Sequence, residues 1–364
     1  MSDVVFILGA GASRQCGAPL MADFLDTASD LLLSNRAQEK AAQFQRVFSA
    51  IGALQSVHSK AQLDLNNIES IFTALELGKI IKRVPGIPAE EIPEVIAALK
   101  DLIVKTLEAT ISFPTNRNYI YAPEPYGKFA ELVKYLCANA QPTKSASVIT
   151  FNYDIAADVA LYREGLGPNY VLGGTFNSQQ PIDLLKLHGS LNWAEAKESH
   201  KILPLHPQEY FQKYSAHGYE EHSKTHLPFG QHLKEFYSRH ANPTQDVLAE
   251  PVIVPPSWNK ADYHQALSDI WAKAADHLSE AEYIFIAGYS LPETDSFFKH
   301  LFALGSVGKS PLRKIKVFNP DKSGDTDARF RRLLGPGSLA RYEYLPMTFE
   351  DSISHVKAMF PGRE

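Results

Sequence analysis

The chain has very little cysteine, and this scarcity limits the sites it can build. Cys16 and Cys137 are the only two cysteines among 364 residues, which excludes a disulfide framework and a four-cysteine zinc site. Long apolar runs are also scarce. The first run, at 4–12, is interrupted by glycines, is too short to span a bilayer and lacks the basic flank of a secretory signal. We therefore expect a cytoplasmic protein that does not enter a membrane.

An excess of positive charge is also missing. The chain has 36 Lys and Arg residues against 41 Asp and Glu residues, for a formal net charge of -5. This balance provides no overall positive field of the kind that drives non-specific binding to nucleic acid. We expect no direct nucleic-acid binding. The hydrophobic content of 45% is sufficient for at least one substantial core.

A β-branched run at 4–8 leads into a glycine loop at 9–13, which is typical of a buried strand entering a turn. Gly9 and Gly11 allow backbone amides to approach a ligand, and the following helix presents its positive end, so the loop suits a pyrophosphate. The usual dinucleotide fingerprint is incomplete, because Arg14 stands where its third glycine belongs. The alternative is a glycine turn that serves only the packing of strand against helix.

The remaining pattern predicts an α/β fold. Apolar residues at 22–140 recur at helical spacing, which predicts an inserted helical lobe. From 141 onward, apolar strands alternate with helices, which is typical of a doubly wound, Rossmann-like parallel sheet covered on both faces. We assign 1–21 and 141–364 to this core, with a loop-rich insertion of short helices at 194–250. The predicted strands are 4–8, 147–151, 184–187, 252–254, 283–287 and 315–318.

Three polar clusters follow predicted strands, at the edge where doubly wound sheets bind ligands. They are Thr-Phe-Asn-Tyr-Asp at 150–154, Lys-Leu-His-Gly-Ser at 186–190 and Gly-Tyr-Ser-Leu at 288–291. Together with the glycine loop, Gly17-Ala18-Pro19 and Asn319, they stand in the order typical of the sirtuin (silent information regulator) family, which the chain resembles. The likeness is greatest to the bacterial sirtuin-like domains of antiphage defence, and runs from residue 4 to about residue 350.

The resemblance implies that NAD+ is bound as a substrate, with separate residues for its three parts. The pyrophosphate and the adjoining ribose would be held by Gly9, Ala10, Gly11 and Ser13. The nicotinamide-ribose pocket would contain Asn152, Asp154 and His188. The adenosine half would contact Gly288, Ser290 and Asn319.

The chemistry of these residues agrees with such a role. Nicotinamide leaves as a neutral molecule, so cleavage of its bond to ribose needs little covalent help. It needs a polar group beside the developing oxocarbenium and a base whose pKa lies near the operating pH. Asn152 would order a water or a ribose hydroxyl, and His188 would be the base on the ribose hydroxyls.

Two departures from the family shift the expected reaction. The chain cannot build the family's four-cysteine zinc module, and the helical lobe stands in its place. The family's Asp-Phe-Arg after the proline is also missing, because Pro19 is followed by Leu-Met-Ala-Asp-Phe at 20–24. That aromatic side chain normally shields the reactive face of the sugar, so its displacement favours water as the acceptor.

We therefore expect an NAD+ hydrolase that releases nicotinamide and ADP-ribose and depletes NAD+ during phage infection. The alternatives are an NAD-dependent protein deacylase or ADP-ribosyltransferase, and a non-catalytic sensor of NAD+ or ADP-ribose. The broad amphipathic helices favour a homo-oligomer. By resemblance to similar defence operons, a partner protein encoded nearby, an ATPase or an Argonaute-like protein, would control activity.

Other residues allow simpler interpretations. Asp154 could cap the helix that follows it, alone or in addition to a catalytic role. Arg329, Arg331 and Arg332 are typical of a solvated helix face. His222 and His226 have helical spacing, but no Glu or Cys completes a metal-binding motif near them. We expect no metal.

Overall fold

The computed structural model describes residues 2–56, 63–117, 119–172, 181–214, 219–238, 247–248, 251–254, 261–292, 295–305, 308 and 310–362. Its strands are β1 (Val4–Leu8), β2 (Phe113–Arg117), β3 (Tyr119–Ile120), β4 (Ala146–Thr150), β5 (Gly167–Asn169), β6 (Pro181–Lys186), β7 (Gly189–Ser190), β8 (Trp193–Glu195), β9 (Ile202–Pro204), β10 (Tyr219–Thr225), β11 (Val252–Ile253), β12 (Tyr283–Ala287), β13 (Lys314–Phe318) and β14 (Tyr342–Leu345). Its α-helices are α1 (Ala10–Ser13), α2 (Phe24–Leu33), α3 (Ala41–Leu54), α4 (Ile68–Ile81), α5 (Ile92–Thr110), α6 (Tyr126–Ala138), α7 (Ala156–Arg163), α8 (Pro207–Tyr214), α9 (Phe229–Phe236), α10 (Ala261–Glu280), α11 (Ser296–Gly305), α12 (Asp325–Leu333), α13 (Pro336–Leu339) and α14 (Phe349–Ala358).

The main sheet of the described part of the chain has seven strands in the order β14-β13-β12-β1-β4-β6-β5. Every neighbouring pair in it is parallel. The doubly wound α/β fold predicted from the sequence is therefore confirmed. All five residues of β1 are buried, as a continuous apolar run in a sheet covered on both faces requires.

The order of the strands defines a switch point between β1 and β12. From β1 the chain continues towards one edge of the sheet, through β4 and β6, and from β12 it continues towards the opposite edge, through β13 and β14. Connections thus diverge at this pair, and open α/β sheets bind ligands in the crevice outside the carboxyl ends of such strands. The glycine loop after β1 and Gly288 after β12 both lie at this crevice.

The structure differs from the prediction at the margins of the sheet. The strand predicted at 252–254 is β11, which pairs antiparallel with β7 outside the main sheet. The edge strands β5 and β14 were not predicted. β5 begins with Gly167 and Pro168, which have little strand preference, and all four residues of β14 are only half-buried.

The segment predicted as a helical lobe contains α2 to α6, but β2 and β3 interrupt it. β2 pairs antiparallel with β10, which belongs to the segment predicted as loops and short helices. Pro114 within β2 weakens any strand signal in the sequence. The division of the chain into core, lobe and insertion stays a prediction. Among the described helices, none combines the length and apolar character needed to cross a membrane.

Glu108 on α5 is a buried carboxyl that packs against the start of α9. The backbone N–H of Gly230 donates to its Oε1 at 2.6 Å. Burial raises the pKa of Glu108 to about 8, although the Gly230 N–H and the nearby Lys105 ammonium oppose the rise. Ionisation of Glu108 is therefore unfavourable in the folded state.

We expect Glu108→Gln to change how stability depends on pH. Because the pKa is raised from 4.5 to about 8 on folding, the unfolded chain releases this proton first. The wild type should therefore lose stability between about pH 4.5 and pH 8 relative to the variant, by ~4 kcal/mol in total. Urea unfolding at pH 5 and at pH 8.5 measures the difference. Parallel pH profiles for the two proteins would contradict this account of Glu108.

Candidate functional site

A cavity of about 670 Å³ opens at the carboxyl ends of the strands around the switch point. This volume lies in the range of ligand pockets in proteins. Its wall contains residues that follow β1, β4, β6, β12 and β13, together with helical residues at 67–72. Nine of the ten residues predicted for the site line it: Ala10, Gly11, Ser13, Asn152, Asp154, His188, Gly288, Ser290 and Asn319. Gly9 is not among the lining residues.

Gly9 and Gly11 are required by the packing of two loops. A Cβ on Gly9 would lie 2.6 Å from the Cα of Tyr289, and one on Gly11 would lie 2.8 Å from the Cα of Gly288. Gly288 itself has a positive φ of 63°. The packing alternative for the glycine loop therefore has a direct structural basis.

Three backbone amides of the glycine loop already donate within the protein, and the first is the N–H of Gly9, which donates to the Ala287 carbonyl at 3.1 Å. The N–H of Gly11 donates to the Gly288 carbonyl at 2.8 Å, and the N–H of Ala12 donates to the Gly9 carbonyl at 2.9 Å. These three amides are therefore engaged within the protein, and the role of the loop in holding a pyrophosphate stays a prediction. A phosphate bound at this edge would need donors in addition to these three amides.

Asn152 is held in one orientation by the protein. Its Nδ2 donates to the Gly9 carbonyl and to Ser13 Oγ, both at 3.0 Å, and lies 3.3 Å from the Tyr126 hydroxyl. An amide nitrogen has two hydrogens, so these contacts occupy the whole donor capacity of the side chain. Its Oδ1 accepts no hydrogen bond from the described residues and remains available as an acceptor in the cavity wall.

Ser13 connects Asn152 to Asp154. The Ser13 hydroxyl donates to Asp154 Oδ2 at 2.7 Å, so the Tyr126 hydroxyl, 2.8 Å away, donates to Ser13 in turn. Asp154 Oδ1 accepts the N–H of Ala156 at 2.9 Å, in the first turn of α7. Both carboxyl oxygens of Asp154 are thus engaged, which supports the capping interpretation. Burial raises the pKa of Asp154, against the opposing effect of the Lys186 ammonium.

His188 lies in an aromatic wall beside an acidic residue. The ring is 3% exposed, with its centroid 5.2 Å from that of Phe151. Its Nε2 lies 4.0 Å from Asp295 Oδ2, which also accepts the Tyr289 hydroxyl at 2.7 Å. Asp295 lines the cavity and was not predicted. Its signal in the sequence was weak, because Asp295 follows the cluster at 288–291 by four residues and belongs to no motif.

A buried ion pair lies beneath the site. Lys186 Nζ donates to Asp158 Oδ2 at 2.9 Å and to the Asp154 carbonyl at 2.6 Å. The Tyr170 hydroxyl donates to the other oxygen of Asp158 at 2.5 Å. Both charged side chains are at most 1% exposed. Lys186 thus holds the backbone of the 150–154 cluster, and no pattern in the sequence predicted this ion pair.

Arg329 corrects the prediction of a solvated arginine face on α12. Its Nε donates to the Ser290 carbonyl at 2.9 Å and its Nη2 to Thr326 Oγ1 at 3.2 Å, and the residue lines the cavity. Arg331 and Arg332 are exposed, as predicted, and Arg331 pairs with Asp327 at 2.9 Å. One of the three arginines therefore belongs to the site.

The histidine-rich segment shows no metal centre in its described part. His226 Nδ1 lies 2.8 Å from the Ile111 carbonyl, and His232 Nδ1 lies 3.1 Å from the Tyr210 hydroxyl. No group of three His, Cys, Asp or Glu side chains that could hold a metal ion occurs in the described ranges. His217 and His240 lie outside these ranges.

Three comparisons with known proteins were made, and similar proteins were found among the solved structures alone. No family model matches the chain, and no curated protein matches it. The similar structures include a Sir2 homologue in complex with NAD (13% identity, TM-score 0.40, 98% of this chain and 88% of that chain). They also include a mutant Sir2 homologue in complex with 2'-O-acetyl ADP-ribose (13% identity, TM-score 0.42, 98% of this chain and 90% of that chain). A third is titled as the structural basis for the mechanism and regulation of Sir2 enzymes (10% identity, TM-score 0.42, 98% of this chain and 92% of that chain). Similarity at this level carries no argument for function, which rests on the cavity and its residues.

Proposed function

We propose that the chain is an NAD+ hydrolase that cleaves the bond between nicotinamide and ribose and releases nicotinamide and ADP-ribose. One observation carries the proposal. At the switch point of a doubly wound sheet, a single cavity is lined by a locked amide, Asn152, and by an imidazole, His188, which follow neighbouring strands. This edge of such a sheet is where nucleotides bind.

The residues in the wall suit the charges that develop during cleavage. As the C–N bond breaks, its electron pair moves to the nicotinamide nitrogen and positive charge develops on the ribose. The Asn152 Oδ1, with its amide fixed by Gly9 and Ser13, would accept a hydrogen bond from the attacking water or a ribose hydroxyl. The water oxygen then bonds to the anomeric carbon, and His188 takes the proton that is released.

A protein deacylase or ADP-ribosyltransferase is the second candidate, favoured by the apolar part of the wall. Ile68, Phe72, Ile103 and Leu107 line the cavity on the helical side, where an acyl chain could pack. Phe24 also lines the cavity. The displacement of this aromatic residue in the sequence therefore does not remove it from the site.

Product analysis separates the candidates. Purified protein is incubated with NAD+, with and without an acyl-lysine peptide, and the products are identified by chromatography. Nicotinamide and ADP-ribose formed without peptide support hydrolysis. Cleavage that requires stoichiometric acyl-lysine supports the deacylase instead. Intact NAD+ after long incubation favours the non-catalytic sensor.

We expect His188→Ala to reduce turnover more than binding. A base acts mainly in the transition state, so kcat should fall about 100-fold or more, with a smaller change in the Kd for NAD+. His200→Ala is the matched control, because that ring is 76% exposed and contacts Glu195 away from the cavity. Equal losses of binding and rate in His188→Ala would assign the ring a ground-state role.

The biological part of the proposal follows from the resemblance to antiphage sirtuin-like domains. The hydrolase would deplete NAD+ during phage infection in the cytoplasm. It would act as a homo-oligomer whose packing changes when a partner protein from the same operon, an ATPase or an Argonaute-like protein, engages it.

A further inference from the structure

Arg329 is fixed at the cavity by two neutral acceptors. The Ser290 carbonyl accepts from its Nε at 2.9 Å, and Thr326 Oγ1 accepts from its Nη2 at 3.2 Å. Three guanidinium hydrogens are not used by these two contacts, because arginine has five N–H donors. The side chain is half-buried, so its position is set by the protein and not by solvent.

The charge of Arg329 is not neutralised by any carboxylate in the described part of the chain. Among the residues that the structure describes, no carboxylate oxygen lies within ion-pair distance of its guanidinium. Asp321, which precedes α12, is engaged elsewhere, because its carboxylate accepts from Ser323 and from the N–H of Thr326. Arg14, the other arginine in the cavity wall, is paired with Asp23. Of the two arginines that line the described part of the wall, Arg329 is therefore the one without a carboxylate partner.

The position of Arg329 relates it to the glycine loop. It holds the carbonyl of Ser290, and Gly288, two residues earlier, packs directly on Gly11. The amides of Gly11 and Ala12 donate to protein carbonyls, so this edge of the cavity needs another donor for an anion. A guanidinium presents its donors in a planar fork that matches two phosphate oxygens.

We propose that Arg329 binds the pyrophosphate of the dinucleotide in the cavity. This inference rests on the proposed function for the identity of the ligand, and it assigns to α12 the positive charge that the glycine loop does not supply. Arg331 and Arg332, on the same helix, take no part, because neither lines the cavity.

Calorimetric titration of the full chain with ADP-ribose, adenosine and NADP+ tests the proposal. We expect Arg329→Gln to weaken ADP-ribose binding about 10- to 100-fold, with adenosine binding unchanged. The wild-type affinity for ADP-ribose should fall as salt rises, and the variant should lose most of this dependence. Arg332→Gln, which removes the same charge outside the cavity, should match the wild type.

The assignment of Arg329 would be overturned if Arg329→Gln bound ADP-ribose as tightly as the wild type, or if the wild type bound no ADP-ribose. It would also be overturned if Arg332→Gln lost as much ADP-ribose affinity as Arg329→Gln, or if Arg329→Gln lost as much affinity for adenosine as for ADP-ribose. A loss confined to NADP+ would also overturn it, because the guanidinium would then bind a 2'-phosphate. If instead the expected ADP-ribose result is obtained with a wild type that leaves NAD+ intact, hydrolysis fails and the role of Arg329 stands.

Discussion

Asn152→Ala should lower the rate of NAD+ cleavage by about 100-fold or more, the range found when a single transition-state donor or acceptor is removed. The substitution deletes the Oδ1 acceptor in the cavity wall. It also removes the hydrogen bonds that the Asn152 amide donates to the Gly9 carbonyl and to Ser13 Oγ. The rate is measured as nicotinamide release at saturating NAD+.

Two measurements separate a catalytic loss from unfolding. Thermal melting of Asn152→Ala must remain cooperative, and calorimetric titration must still detect binding of ADP-ribose to the variant. Asn139→Ala is the matched control, because Asn139 is exposed at the end of α6 and does not line the cavity. A cooperatively folded Asn152→Ala protein with wild-type turnover would show that the site has been assigned wrongly.

Lys186→Met should destabilise the fold by ~3–5 kcal/mol, the cost of leaving one member of a buried ion pair without its partner. The carboxylate of Asp158 would remain buried, and among the described residues only the Tyr170 hydroxyl would donate to it. The Asp154 carbonyl would lose its contact with Nζ as well. Urea denaturation followed by circular dichroism measures the change.

The double variant Lys186→Met, Asp158→Asn should regain part of this loss, because the unpaired charge is removed with its partner. Lys134→Met provides the matched control. Lys134 pairs with Glu164 at 3.2 Å, but its side chain is 49% exposed, so its loss should cost less than ~1 kcal/mol. If Lys186→Met and Lys134→Met lowered the free energy of unfolding by similar amounts, burial would not be the reason for the effect of Lys186.

The sequence predicts the central part of the fold well, because its signals are local. The apolar run of β1 and the glycine loop are adjacent in the chain, as are β4 and the cluster at 150–154. Strands that are buried on both faces read as continuous apolar runs. The edges of the sheet are different: Gly167 and Pro168 in β5 carry no strand signal, and only pairing with β6 makes them a strand.

The residues that sequence analysis missed act through contacts between distant parts of the chain. Tyr126 meets Ser13 across 113 positions, and no local pattern specifies that pairing. Asp295 has no motif of its own. Arg329 shares its helix with two exposed arginines, so only the tertiary position of Ser290 distinguishes it from them.

The central position of β1 has a consequence for the order in which the protein is made. β1 is synthesised first, yet one of its two neighbours in the sheet is β12, at Tyr283–Ala287. While the ribosome is still adding the intervening residues, one edge of β1 has no partner, and the loop at 288–290 that closes the cavity does not exist. Contacts of such long sequence separation form late. A nascent chain therefore cannot complete this cavity until residues 288–290 have been translated.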